Sequence, residues 1–126
     1  MQLNEVPSHA TYSIRAYTQN SVTINTEVYT HSLIIMSHQL ITPWRPQTLA
    51  DLIPSDWDAL FNLNPELILL GTGPSFGHPS PEQIKPLTQA KIGIEFMATD
   101  AACRTFVALA SEGRKVAGCF IIGQSI

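Results

Sequence analysis

Three short apolar runs in the second half of the chain, each followed or preceded by a helix-forming stretch, constrain the fold more than any other feature. Residues 66–70 (Glu-Leu-Ile-Leu-Leu), 92–97 (Ile-Gly-Ile-Glu-Phe-Met) and 116–122 read as strands. Residues 81–89 between the first two suit a helix that Pro86 shortens or kinks. Thr99 or Asp100 is placed to cap a second helix running to about Glu112, with Gly113 at its C-terminal stop. Strand, helix, strand, helix, strand is two βαβ units. Parallel strands joined by right-handed crossovers put the helices on the sheet faces, so these runs are expected to share one sheet. On the second helix, Ala102, Thr105, Phe106 and Leu109 recur at helical spacing and form the core stripe. Arg104, Val107, Ala108 and Ser111 lie on a second stripe, so this helix is partly apolar on both faces.

The first half has a different rhythm. Residues 12–17, Val22 with Ile24, Val28 with Tyr29, residues 33–36 and residues 39–42 are short, rich in β-branched and aromatic side chains, and separated by polar breaks. They predict an antiparallel meander. Residues 33–36 (Leu-Ile-Ile-Met) are apolar on both faces, as in a central strand. Pro43 and Pro46 flank Trp44 and Arg45 and end the β region, after which Ser55 is placed to cap a short helix with Asp56 and Asp58 in its first turn. Residues 1–10 carry Glu5, lack an apolar core and read as a flexible N-terminal tail; residues 11–126 read as one domain.

Only 13% of the 126 residues are charged, about half the usual share, while 44% are apolar. A surface so poor in charge suits a protein partner or a homo-oligomer. The net charge of −3, with no basic stripe, gives no support for nucleic-acid binding. No apolar run reaches the ~18 residues of a membrane span, so membrane insertion is not expected. Cys103 and Cys119 have neither metal nor disulfide-framework spacing, and a reduced, cytoplasmic setting follows. His9, His31, His38 and His78 form no ligand pattern, and neither metal nor cofactor is expected.

The loop from Gly71 to Ser80 imitates a dinucleotide fingerprint through Gly71, Gly73 and Gly77, with Glu95 on the next strand. The third glycine, however, is one position late and Pro74 removes an N–H from the would-be cradle. The same loop lies where ligands of parallel sheets bind, beside two helix N-termini that favour anions. The ligand-binding candidates are Gly71, Gly73, Ser75, Thr99, Asp100 and Arg104, with Arg104 supplying a fork of donors. The structural alternative is that Arg104 pairs with Glu95 or Asp100 and fixes packing. No nucleophile–base pair is visible: Ser75 and His78 lie in one loop without an orienting acid. Cys103, near a helix N-terminus and next to Arg104, is either a thiol of lowered pKa or a small core residue. Trp44 and Trp57 with Phe61 suit core or interface anchors.

Several of these segments together resemble the Mth-type domain family of unknown function. They are Pro65-Glu-Leu-Ile-Leu-Leu-Gly-Thr-Gly73, Gly93-Ile-Glu95, Ala101-Ala-Cys-Arg-Thr-Phe106, and Leu109 with Glu112-Gly-Arg-Lys-Val116. Val22-Thr-Ile-Asn25, Tyr29, Ser32-Leu-Ile-Ile35 and Trp44 match more loosely. The resemblance spans residues 11–122. The family includes an adipogenesis-associated protein and a mitochondrial complex I assembly factor. It implies a three-layer α/β domain with a central mixed sheet, which the N-terminal β meander and C-terminal βαβαβ reading accommodates. Ala98 and Val107 stand where the family pattern often has Asp and Asn, so both positions lose a polar group. Two function classes remain. One is a non-enzymatic interaction or complex-assembly module. The other is a small anionic ligand-binding protein or enzyme with its site at the Gly73, Thr99 and Arg104 rim.

Overall fold

The computed structural model describes residues 11–123; the expected N-terminal tail lies outside them. The elements in order are β1 (Ile14–Tyr17), β2 (Val22–Ile24), β3 (Glu27–Tyr29), β4 (Leu33–Met36) and β5 (Gln39–Ile41). Two 3₁₀ turns (Leu49–Asp51 and Pro54–Trp57) lead into α1 (Asp58–Phe61). Then come β6 (Leu67–Gly71), α2 (Lys85–Ala90), β7 (Gly93–Met97), α3 (Thr99–Ser111) and β8 (Val116–Phe120).

The three C-terminal strands share one sheet, ordered β5-β4-β8-β6-β7. β6 is parallel to both β7 and β8, and β4 closes the other flank antiparallel to β8. β8 runs through the middle, with all five of its residues buried and Ala117, Gly118 and Cys119 small enough for close neighbours on each side. Gly118 is required there: a Cβ would come 2.5 Å from the ring of Phe120, which folds back over it, and 3.1 Å from Ile35 Cγ2. Alternation then divides the core in two. Ile34, Met36, Ile68, Leu70, Ala117 and Cys119 face Trp44, Trp57, Leu60 and Leu87 on the side of α1 and α2. Leu33, Ile35, Leu69, Val116 and Phe120 face Ala102, Cys103 and Phe106 of α3, together with Val22 and Ile24 of β2. The result is three layers around a mixed central sheet.

The N-terminal meander is divided. β1, β2 and β3 form their own antiparallel sheet, and β4–β5 is a hairpin annexed by the main one. The burial explains the split. All four β4 side chains are buried, which only a strand covered on both faces allows, whereas β2 buries Val22 and Ile24 and leaves Thr23 partly open.

Three local expectations are corrected. The helix expected from residue 81 begins at Lys85, with Pro86 in its first turn, where a missing N–H costs nothing. Ser55 is not a cap: it lies inside the second 3₁₀ turn, and the Asp56 carboxylate instead accepts the N–H of Ile53 at 2.8 Å. Neither Thr99 nor Asp100 caps α3 from outside; Ala98 precedes the helix and provides no side-chain bond. At the other end Gly113 (φ 81°) takes the expected left-handed turn.

The long connection from β5 to β6 is irregular yet tightly tied. Arg45 grips Asp56 through both carboxylate oxygens (2.8 and 2.9 Å) and also binds the side chain and carbonyl of Asp51. Burial pushes the Asp56 carboxyl up, but the Arg45 fork and the Ile53 N–H outweigh it and hold it below its ordinary value. Gln83 donates to the carbonyls of Leu49 and Leu52, and its own carbonyl accepts the Trp57 indole at 2.8 Å. Trp44, only 6% exposed, packs on Trp57 with ring centres 5.6 Å apart and donates to the Asp56 carbonyl. Of the two readings open to Trp44, core residue or interface anchor, the structure shows the core residue.

Candidate functional site

The rim at the C-terminal ends of β6 and β7 brings Gly71, Gly73 and Thr99 together. α3 starts so close to β6 that a Cβ on Gly71 would come 2.8 Å from Thr99 Oγ1 and 3.0 Å from Thr99 Cα. Thr99 is buried, and its hydroxyl accepts the Gly73 N–H at 2.8 Å while donating to the Ile121 carbonyl at 2.9 Å. Its own N–H donates to the Gly73 carbonyl, and Ile121 N–H donates to the Gly71 carbonyl. One threonine thus stitches the ends of β6, α3 and β8.

Thr72 and Gly77 of the loop are bonded internally as well. Thr72 N–H donates to the Met97 carbonyl at 2.9 Å. The Thr72 hydroxyl lies 2.9 Å from the Ser75 carbonyl and accepts the Gly77 N–H at 3.1 Å. These are the amides that a phosphate cradle would aim at its ligand, and here they are turned inward. At the start of α3 the Asp100 carboxylate accepts the Ala101 N–H at 2.8 Å. Ser75 and Asp100 are exposed. Arg104 is exposed as well and reaches β1, with Nη1 3.4 Å from the Tyr17 hydroxyl; among the described residues it forms no ion pair with Glu95 or Asp100. The structure therefore joins Gly71, Gly73 and Thr99 in one bonded unit and sends Arg104 to the small sheet.

What the rim presents to its surroundings is aromatic. Phe76, 56% exposed, stands edge-on to His78 at 4.8 Å, and His78 stands edge-on to Phe96 of β7 at 5.0 Å. β7 is an outer strand of the sheet, so this cluster borders an open edge. The sequence signal for it was Phe76 itself, a large apolar side chain inside a Gly- and Pro-rich loop.

Both cysteines are free and buried. Burial, aided by the nearby Asp100 carboxylate, pushes the Cys103 thiol up to about 12, and burial alone pushes Cys119 up. Cys103 therefore faces the core and is not the activated thiol its neighbours in sequence allow. Among the described residues no three His, Cys, Asp or Glu side chains converge as metal ligands, and no helix is long and apolar enough to cross a membrane.

The opposite end of the sheet holds a cleft of about 640 Å³ that sequence reading did not anticipate. Met36, Leu63, Ala110 and Val116 contribute apolar walls, and His38, Asn62, Arg114 and Lys115 contribute polar ones. The available signal was the Arg114–Lys115 pair, the only adjacent cations in the chain. A smaller groove of about 290 Å³ beside it runs between residues 11–14 and the Phe106, Val107 and Ala110 side of α3.

Comparison with known proteins finds a match over residues 14–121 to the family described as Protein of unknown function (DUF498/DUF598). The "13 kDa major membrane protein" of Francisella tularensis subsp. holarctica (strain LVS) is 32% identical over 123 residues, which cover 97% of this chain and 99% of that protein. The NMR structure of a Xanthomonas campestris protein superposes with a TM-score of 0.83 at 38% identity, covering 98% of this chain and 93% of the other. A Bordetella pertussis protein described as a Mth938-like domain superposes with a TM-score of 0.78 at 26% identity, covering 100% of this chain and 96% of the other.

Proposed function

This chain belongs to the family described as Protein of unknown function (DUF498/DUF598), with the Mth938-like fold, and we propose from that premise that it acts as a non-enzymatic interaction module that docks a protein partner on its aromatic rim. The observation that carries this reading is the pair of exposed rings, Phe76 and His78, seated on half-buried Phe96 at the open edge of the sheet. Aromatic side chains at an edge offer a partner large contact area at a small entropic cost, and the free backbone of β7 offers hydrogen bonds to an incoming strand. The internal bonding of the rim supports a binding role over a catalytic one: Gly73 and Thr99 bond each other, Thr72 bonds Ser75 and Gly77, and the thiols are buried. The low charged fraction of 13% fits a surface made for a partner. The free, buried thiols fit a cytoplasmic setting, although the Francisella relative's name associates that protein with a membrane.

Phe76→Ser tests the reading. The side chain is exposed, so the variant should melt within about 0.5 kcal/mol of the wild type. With the wild type, Phe76→Ser and Val28→Ser used as baits in native cells, quantitative mass spectrometry should show a partner retained by the wild type and Val28→Ser and lost from Phe76→Ser. Equal recovery by all three baits defeats the assignment of this surface.

A further inference from the structure

We propose that the cleft at the end of the sheet opposite the rim is a binding site for a monomeric amphiphilic anion: an apolar body on the walls and a carboxylate or similar head at Lys115. The argument is independent of the rim reading.

The volume, about 640 Å³, lies within the roughly 300–1,000 Å³ typical of small-ligand sites. The walls are mainly apolar, through Met36 and Val116 of the sheet, Leu63 after α1 and Ala110 of α3. An apolar interior asks for an apolar ligand body, because a polar one would lose its water without replacement.

The charge at the mouth sets the head group. Glu66 lies beside the cleft. Its carboxylate pairs with Arg114 Nε at 3.4 Å and accepts the Lys115 N–H at 2.8 Å, so it is engaged by Arg114 and by backbone. Lys115 lines the cleft, and its ammonium has no carboxylate partner among the described residues, which leaves a cation uncompensated on a residue of the wall. At the C-terminus of α3, whose dipole opposes an anion, three of the last four carbonyls are taken up by the chain itself. The Leu109 carbonyl accepts the N–H groups of Glu112 and Arg114, the Ala110 carbonyl accepts that of Gly113, and the Ala108 carbonyl accepts the Ser111 hydroxyl. Asn62 and Gln39 add neutral polar groups on the walls. A concave site with one free cation recognises a single amphiphile in solution better than a flat bilayer surface.

The test uses the full chain and NMR titration of its amides with decanoate kept below its micelle concentration, decanol and decylammonium. Decanoate should give saturable shifts at residues 36–39, 62–63 and 110–116. Decanol should bind roughly three- to tenfold more weakly, and decylammonium more weakly still, as expected for one partly solvated ion pair. Lys115→Met keeps the apolar stem and removes the charge; it should bring decanoate down to the affinity of decanol and leave decanol unchanged. Ala110→Phe, which fills one wall, should abolish both, and if it fails to fold the Lys115→Met comparison still decides. No saturable shift with decanoate at millimolar concentration overturns the proposal. So do shifts confined to other residues, equal affinities of decanoate and decanol for the wild type, and Lys115-dependent sedimentation with anionic vesicles without uptake of monomeric decanoate.

Discussion

At the C-terminal end of the parallel strands, Thr99 Oγ1 sits between the Gly73 N–H and the Ile121 carbonyl with nothing left to offer. At the other end, Lys115 gives its backbone N–H to Glu66, lines an open cleft and has no ion-pair partner among the described residues. The rim carries the Gly-rich loop and helix N-terminus that attract attention in a sequence, while the far end carries two neighbouring cations and some neutral residues. The difference teaches that residue type marks where polar groups are and not whether they are available. Close packing of a helix end on a strand consumes side-chain donors and acceptors internally, whereas the turn at the far end satisfies its backbone and leaves the Lys115 side chain without an ion-pair partner among the described residues.

The largest expected effect is at the rim. Thr99→Val keeps the shape but leaves a buried N–H and a buried carbonyl unpaired, which should cost roughly 2–4 kcal/mol in chemical denaturation. A loss below about 0.5 kcal/mol means that the rim groups are solvated and free, and the contrast between the two ends disappears.

An intermediate effect separates the ends by pH. The Lys115 N–H, and then the Arg114 guanidinium, hold the Glu66 carboxyl below its ordinary value of 4.5. A depressed folded-state pKa means that the stabilisation is complete above about 4.5 and is lost as pH falls through the lower folded value. The Lys115 amide shift should therefore titrate with a midpoint below 4.5 and stop doing so in Glu66→Gln. The Gly73 amide, bonded to a hydroxyl, should not move over the same range. Joint titration of both amides contradicts the independence of the two ends.

The smallest effect belongs to Arg104→Ala. With an exposed guanidinium and one long contact to Tyr17, the change should stay within about 0.5 kcal/mol in thermal melts. A loss of several kcal/mol would show that Arg104 does more for the fold than its contact to β1 suggests.

Periodicity was enough to find β6, β7, β8 and α3, because alternation and helical spacing are local properties that burial imposes on any sequence. Gly113 announced the end of α3 for the same reason: its backbone angle is written in its residue type. The Mth-type likeness was legible in residues 65–73 and 101–116, which form β6 and its loop, α3 and the start of β8. Even Leu33–Met36 revealed its central place, since four apolar residues in a row need cover on both faces.

Other properties depended on partners distant in the chain. That β4 leaves the meander to pair with β8 is decided by contacts more than eighty positions apart, such as Ile34 with Cys119. Trp44 reads equally well as an anchor or a core residue until Trp57 and the Asp56 carbonyl meet it. Cys103 reads as reactive or inert until its side of α3 is turned to the sheet. The cleft is a space between the β4–β5 turn, the end of α1 and the α3–β8 turn, and a space between segments has no residue of its own to mark it. The sequence by itself determined which segments are strands and helices and which of their faces are apolar. Which polar groups remain free to bind anything was decided only when the tertiary structure matched each donor with an acceptor.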